Sequence, residues 1–218
     1  MVHFTMCSGP ALGYEVHLLD PVPGHIEQAK EKDGASPFML ASIREGDARA
    51  LPFDDYSFDL VLLLGPLYHL TERSDRMVAL GEARRVLKRG GMVAAAGISR
   101  YSSMLDGFHG GWLRIPDFIT IMLQDLTDGQ HRNPMGKNYF TTAFFHLPDE
   151  LEGEVREAGF QISDTLAMES FASWLPGLEE KLADPQFGDL LLGTIRRIEQ
   201  DPSLLGGSPH LLAVGKKP

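Results

Sequence analysis

Apolar residues recur along the first hundred positions with two alternating spacings. Short β-prone runs alternate with segments in which apolar side chains return every three or four residues among charged ones. The run at residues 58–64 is nearly continuous, which is typical of a parallel strand buried on both faces. The predicted strands are residues 14–20, 42–45, 58–64 and 92–98, and the predicted helices are residues 25–32 and 72–87.

The pattern changes after Arg100. Residues 101–145 mix aromatic side chains, methionine, glycine and proline, with an amphipathic stretch at 115–126, and they predict a helical cap. Strand and helix patterns then return, with a terminal antiparallel pair of strands. The predicted elements are helices at 151–158 and 189–199 and strands at 160–167 and 210–214.

This order predicts an α/β chain with a Rossmann-like, mostly parallel sheet, helices on both faces and a helical cap insertion. The expected organisation has three parts. Residues 1–100 form the ligand-binding Rossmann-like part, residues 101–147 form the cap, and residues 148–218 return to the same sheet.

Composition narrows the class of partner. The net charge is -10, from 30 acidic and 20 basic side chains, so a nucleic-acid partner is not expected. No apolar run approaches the roughly 20 residues that would span a bilayer, so no membrane partner is expected. The N-terminus lacks a secretory pattern, and the single cysteine excludes an intrachain disulfide. Together these features predict a cytoplasmic protein.

Polar side chains follow the predicted strands, where ligands of open parallel sheets bind. Asp20 ends the first strand, where a carboxylate can accept hydrogen bonds from a ribose, although an aspartate taken alone at such a position more often forms a turn or caps a helix. Asp47 follows the second strand in the same way. The apolar run 58–64 leads into a Gly-Pro turn that carries Tyr68 and His69, and this is the most specific local signal.

Three ordered blocks of sequence resemble the class I S-adenosylmethionine-dependent methyltransferases, especially their small-molecule branch. The blocks are GYEVHLLDPVPGHIEQAK, EGDARALPFDDYSFDLVLLLGPLYHL and EARRVLKRGGMVAAAGISR. The resemblance implies S-adenosylmethionine as cofactor and a small organic molecule as methyl acceptor. It also implies that Asp20 binds the ribose, Asp47 and Ala48 the adenine, and Leu64 and Gly65 the methionine part.

The sequence departs from that family at its N-terminal end. Where the family has a first strand, a glycine-rich turn and a helix, this sequence has Cys7-Ser8-Gly9-Pro10, two residues before Gly13. Gly9 is therefore the candidate for the cofactor-facing glycine. The departure predicts a shortened N-terminus and weakened donor binding, and it leaves open a non-catalytic binding or scaffold protein of the same fold.

The candidate catalytic residues are His69 and Tyr68, because a base beside the acceptor assists methyl transfer to a hydroxyl, an amine or an acidic carbon. The alternative, that both residues pack under the cap, is the more common role for such a pair. No metal is expected, since the scattered histidines have no ligand spacing. A nicotinamide-dependent oxidoreductase is a weaker alternative, because it requires a glycine-rich turn. The oligomeric state is not predicted.

Five apolar residues of the cap region could line an acceptor pocket or form the core of the cap. Pockets are mostly hydrophobic with few polar groups, so composition does not separate these two interpretations. The residues are Phe118, Met122, Phe140, Phe144 and Phe145.

Overall fold

The computed structural model describes residues 12–133 and 140–218. The chain divides into two compact units, Met1–Phe53 and Asp54–Pro218. Within the described residues, no helix is both long and apolar enough to cross a bilayer.

The first unit contains one parallel crossover. Strand β1 (His17–Asp20), helix α1 (Pro23–Gly34) and strand β2 (Ser42–Glu45) follow in order, and β1 pairs in parallel with β2. A parallel pair needs such a crossover, and the helix supplies it. Ile26 and Ala29 are the buried apolar residues of α1. The sequence predicted all three elements, with boundaries that differ by three residues or fewer.

The second unit is a mixed sheet with helices packed against it. In the sheet, β4 pairs in parallel with β3 and with the end of β6, and it pairs antiparallel with β8, which in turn pairs antiparallel with β7. The predicted terminal pair of antiparallel strands is thereby confirmed. The strands are β3 (Phe58–Leu63), β4 (Leu87–Ser99), β5 (Gln130–His131), β6 (Ala143–His146), β7 (Gln161–Ala167) and β8 (His210–Lys216).

Helices connect these strands. A cluster of buried side chains from α2, α3 and α6 packs with β3, β4, β7 and β8 and forms the main core of this unit; Leu67, Leu80 and Leu151 are fully buried within it. The helices are α2 (Pro66–His69), α3 (Arg73–Val86), α4 (Ser102–His109), α5 (Pro116–Asp128), α6 (Pro148–Glu157), α7 (Leu178–Leu182) and α8 (Pro185–Ile198).

Strand β3 differs from the prediction of burial on both faces. Leu63 is 4% exposed, whereas Leu60 and Leu62 on the strand and Leu64 just after it are 51%, 45% and 48% exposed. Among the described strands β3 pairs only with β4, so it lies at an edge of its sheet. Side chains alternate between the two faces of a strand, and here one face of β3 is covered while the other is open.

Strand β4 begins earlier than its sequence predicts. The sequence predicted the strand from residue 92, but the strand already starts at Leu87. Gly90 has a φ of +77°, and the register against β3 shifts between Phe58 and Leu60. Gly90 and Gly91 therefore form an irregularity within the strand, as glycine does in a β-bulge.

The predicted cap contains helices α4 and α5, but its end belongs to the sheet. Residues 143–146 form β6, which pairs with Ile98 and Ser99 of β4. Four of the five candidate pocket residues, Phe118, Met122, Phe144 and Phe145, are buried at 9% exposure or less. Burial favours their interpretation as core residues, and Phe140, at 43% exposure, is the exception.

Candidate active site

The segment that follows β3 brings the two candidate catalytic side chains together. Leu67 is fully buried and anchors the short helix α2, so the neighbouring residues are presented at the surface. The rings of Tyr68 and His69 lie 4.7 Å apart between centroids. Of the two, His69 is the more exposed and Tyr68 is half-buried.

The Tyr68 hydroxyl is already engaged in a hydrogen bond. It donates to the backbone carbonyl of Leu64 at 2.7 Å, which ties the end of β3 to α2. Burial raises the pKa of Tyr68 above its usual range. Tyr68 therefore remains a neutral phenol near pH 7, and of the two candidates His69 is the better proton acceptor.

A third aromatic side chain completes this group. The ring of Phe140 stacks on the His69 imidazole, with centroids 5.9 Å apart and an angle of 22° between the planes. Together Tyr68, His69 and Phe140 form a partly exposed aromatic group next to Leu64 and Gly65. A Cβ atom built on Gly65 would lie 3.8 Å from the Tyr68 hydroxyl oxygen, which is an ordinary contact distance. The packing around Gly65 therefore does not require glycine.

The Asp20 carboxylate is oriented by its own turn. Its Oδ1 accepts a hydrogen bond from the Val22 amide at 2.8 Å and lies 3.1 Å from His25 Nδ1. Within the described residues no hydrogen bond reaches Oδ2, and the side chain is 19% exposed. The carboxylate is thus held at the end of β1 with one oxygen still able to accept.

Asp47 lies directly after β2 and is bound by Arg49. The Asp47 carboxylate accepts from the Arg49 amide at 2.8 Å and from its guanidinium at 2.6 to 3.2 Å. These hydrogen bonds from Arg49 lower the pKa of Asp47, so the group is an anion at neutral pH. The Asp47 side chain is 43% exposed, so a ligand can reach its carboxylate. Ala48 follows Asp47 in the same turn, and the predicted glycine, Gly9, lies outside the described residues.

Two buried polar clusters carry no sequence signal. In one, Arg76 donates three hydrogen bonds to Glu154, beside His146. The other joins Ser103, Asp125 and His131 and is described below. Each cluster combines residues from separate elements, so no local spacing could have identified either one.

One family model matches part of the chain, and several curated methyltransferases are similar to it. Residues 4–95 match a family model described as a methyltransferase domain. A demethylmenaquinone methyltransferase of Roseiflexus castenholzii is 35% identical over 117 residues, which are 53% of this chain and 46% of that protein. The 27-O-demethylrifamycin SV methyltransferase of Amycolatopsis mediterranei is 27% identical over 184 residues, 79% of this chain and 57% of that protein. The chain thus spans about half the length of these curated relatives.

Solved structures share the architecture. A SAM-dependent methyltransferase of Methanosarcina mazei superposes with a TM-score of 0.61 at 15% identity, covering 95% of this chain and 84% of that one. A SAM-dependent methyltransferase of Mesorhizobium loti gives a TM-score of 0.55 at 15% identity, with 93% and 80% covered. At these low sequence identities, the structural similarity shows the fold alone. The chain is thus similar to methyltransferases in the matched domain, residues 4–95, and shares its fold with S-adenosylmethionine-dependent methyltransferases.

Proposed function

We propose that the chain binds S-adenosylmethionine and transfers its methyl group to a small organic acceptor with a flat aromatic ring. The observation that carries the proposal is the aromatic group of Tyr68, His69 and Phe140 directly after β3. Relatives named for demethylmenaquinone, for 2-phytyl-1,4-beta-naphthoquinone and for a demethylrifamycin favour an acceptor of this kind.

The residues at the strand ends fit the proposed cofactor. The open Oδ2 of Asp20 suits a ribose hydroxyl, and the Asp47 carboxylate with the Ala48 backbone suits the adenine edge. Leu64 and Gly65 are proposed to lie along the methionine part. When bound, S-adenosylmethionine supplies an electrophilic sulfonium methyl group.

The protein's own contribution to transfer is orientation, exclusion of water and proton removal. The partly exposed rings of Phe140 and His69 provide a surface on which a flat acceptor ring can stack. His69 then takes the proton that the acceptor loses as it becomes methylated, while the Tyr68 hydroxyl keeps the turn in place through Leu64.

The cofactor contacts can be tested at Asp20. We expect Asp20→Ala to weaken S-adenosylmethionine binding by about 1.5–3 kcal/mol, the usual worth of a hydrogen bond to a charged group. This corresponds to a roughly 10- to 150-fold rise in Kd. Calorimetric titration of the folded variant measures the change.

Two further variants separate ligand binding from turn stability. Asp20→Asn keeps an acceptor for the Val22 amide but removes the charge, so an intermediate loss of affinity is expected. Glu27→Ala, on an exposed position of α1, should leave the affinity at the wild-type value. An Asp20→Ala protein that is folded and binds as tightly as wild type would refute the ribose assignment.

A further inference from the structure

Behind Phe140 lies a buried polar cluster built from three elements. Ser103 of α4 donates its hydroxyl proton to Asp125 Oδ2 at 2.5 Å, and His131 Nδ1 of β5 lies 2.8 Å from the same oxygen. Asp125 is fully buried and His131 is 3% exposed. The His131 ring is also stacked on Phe145 of β6, with centroids 4.8 Å apart and planes 13° from parallel.

Both ring nitrogens of His131 face oxygen atoms. Nε2 lies 3.3 Å from the carbonyl of Phe140, which can only accept, so Nε2 must carry a proton to make that bond. Nδ1 faces the Asp125 carboxyl group within hydrogen-bond distance. The imidazole thus bridges a buried carboxyl group and the backbone carbonyl of Phe140.

The hydrogen bond from His131 restrains the backbone of Phe140 and, through it, a ring of the candidate site. The Phe140 ring centroid lies 6.1 Å from that of His131 on one side and 5.9 Å from that of His69 on the other. Phe140 is 43% exposed, so core packing does not hold it firmly in place. The Phe140 carbonyl also accepts from Asn133 Nδ2 at 3.5 Å, so the shorter hydrogen bond from His131 is one of two polar restraints on this residue.

We propose that His131 is a positioning residue: held between Asp125 and the Phe140 carbonyl, it sets the Phe140 ring against His69. The inference rests on the proposed function in one respect, because it takes the Phe140–His69 stack as the acceptor side of the site. A purely structural role would stabilise the cap without changing the surroundings of His69. The test therefore needs a readout at His69 itself.

Nuclear magnetic resonance of the full chain labelled with ¹⁵N and ¹³C at its eight histidines provides that readout. In the wild type, we expect the Nε2 proton of His131 to exchange slowly with water, because it is bonded to the Phe140 carbonyl. His131→Gln and Phe140→Leu should both move the His69 ring resonances in the same direction, because each disturbs the same stack.

Matched variants keep the result interpretable. Leu123→Ala changes an exposed residue of α5 that has no part in the cluster, and it should leave the His69 resonances in place. If His131→Gln does not fold, Phe140→Leu at its half-exposed position and Ser103→Ala carry the test. Ser103→Ala removes one hydrogen bond from Asp125 and should give a smaller shift in the same direction.

The outcomes separate this inference from the proposed function. His69 resonances unchanged in a folded His131→Gln or Phe140→Leu protein would overturn the positioning role, even if the chain transfers methyl groups. His131 without a proton on Nε2 would overturn it as well. Shifted resonances in a chain without methyl transfer would uphold the positioning and refute only the function. Where transfer is measured, the acceptor KM should rise severalfold in His131→Gln while the KM for S-adenosylmethionine stays unchanged.

Discussion

Arg76→Met is expected to lower the free energy of unfolding of the second unit by about 3–5 kcal/mol, the usual cost of removing one partner of a buried ion pair. Arg76 is 2% exposed and Glu154 is 4% exposed. The guanidinium donates to both oxygens of Glu154 and to the carbonyls of Leu70 and Thr71, and it lies 3.8 Å from the Phe144 ring centroid. Its loss leaves the buried carboxylate and the Leu70 carbonyl without the guanidinium donor.

Urea unfolding followed by tryptophan fluorescence measures this loss, because both tryptophans, Trp112 and Trp174, lie in the second unit. The matched control is Arg73→Met on the same helix. Arg73 is about half exposed and pairs with Glu157, so its loss should cost about 1 kcal/mol or less. Equal effects of the two substitutions would contradict the view that burial makes the Arg76 pair essential.

Because of the same ion pair, we expect the free energy of unfolding to fall at acidic pH. Burial opposes ionisation of Glu154, but His146 and Arg76 beside it lower its pKa to about 2, from an ordinary value of 4.5. Burial also lowers the pKa of His146, so that imidazole is neutral at pH 7. Because the folded-state pKa of Glu154 is depressed, its contribution is complete above pH 4.5 and is lost as the pH falls towards 2. In Glu154→Gln this part of the pH dependence should disappear.

His69→Ala is expected to reduce kcat for an acceptor hydroxyl by roughly 10²- to 10⁴-fold, the usual contribution of a positioned general base. The affinity for S-adenosylmethionine should not change, since His69 is proposed to act on the acceptor. Transfer of a labelled methyl group to a panel of soluble hydroquinones and phenols is the measurement. An unchanged kcat in the folded variant would remove His69 from the mechanism.

Two controls test whether the effect belongs to His69. Tyr68→Phe removes the hydroxyl that bonds to Leu64 but keeps the ring. The fall in kcat should therefore correspond to no more than the roughly 0.5–1.5 kcal/mol that one such hydrogen bond contributes. His109→Ala changes an exposed histidine of α4 that contacts Trp174, and it should leave kcat unchanged. A larger effect of Tyr68→Phe than of His69→Ala would reverse the proposed roles.

Much of the fold followed from periodicity because period-2 and period-3.6 patterns are local properties. Helix α5 and strands β2 and β7 were expected within two residues of their observed bounds. Periodicity failed where distant pairing decides the structure. The sequence of β6 resembles the aromatic-rich cap that precedes it. It forms a strand because it pairs with β4, and the sequence does not show that pairing. The open face of β3 was missed because an apolar run does not reveal its number of neighbours.

The candidate site could be predicted only in part. One candidate, Asp20, ends a strand, and the others, Asp47 and the Tyr68-His69 pair, follow strands. Positions at and after the ends of predicted strands can be identified from sequence. The contact between His69 and Phe140 could not be predicted, because no spacing rule relates two residues that are separated by 70 others. Nor could sequence indicate that the Tyr68 hydroxyl is engaged by Leu64, since this depends on how α2 turns at the end of β3.

Calorimetric titration of the unmodified chain with S-adenosylmethionine tests the central claim most directly. The account predicts saturable binding of one molecule per chain with micromolar affinity, about -8 kcal/mol at a Kd of 1 μM. The demethylated product, S-adenosylhomocysteine, should compete for the same site, because the ribose and adenine contacts do not involve the methyl group. A chain that is folded by circular dichroism yet gives no saturable heat with either compound would contradict the account.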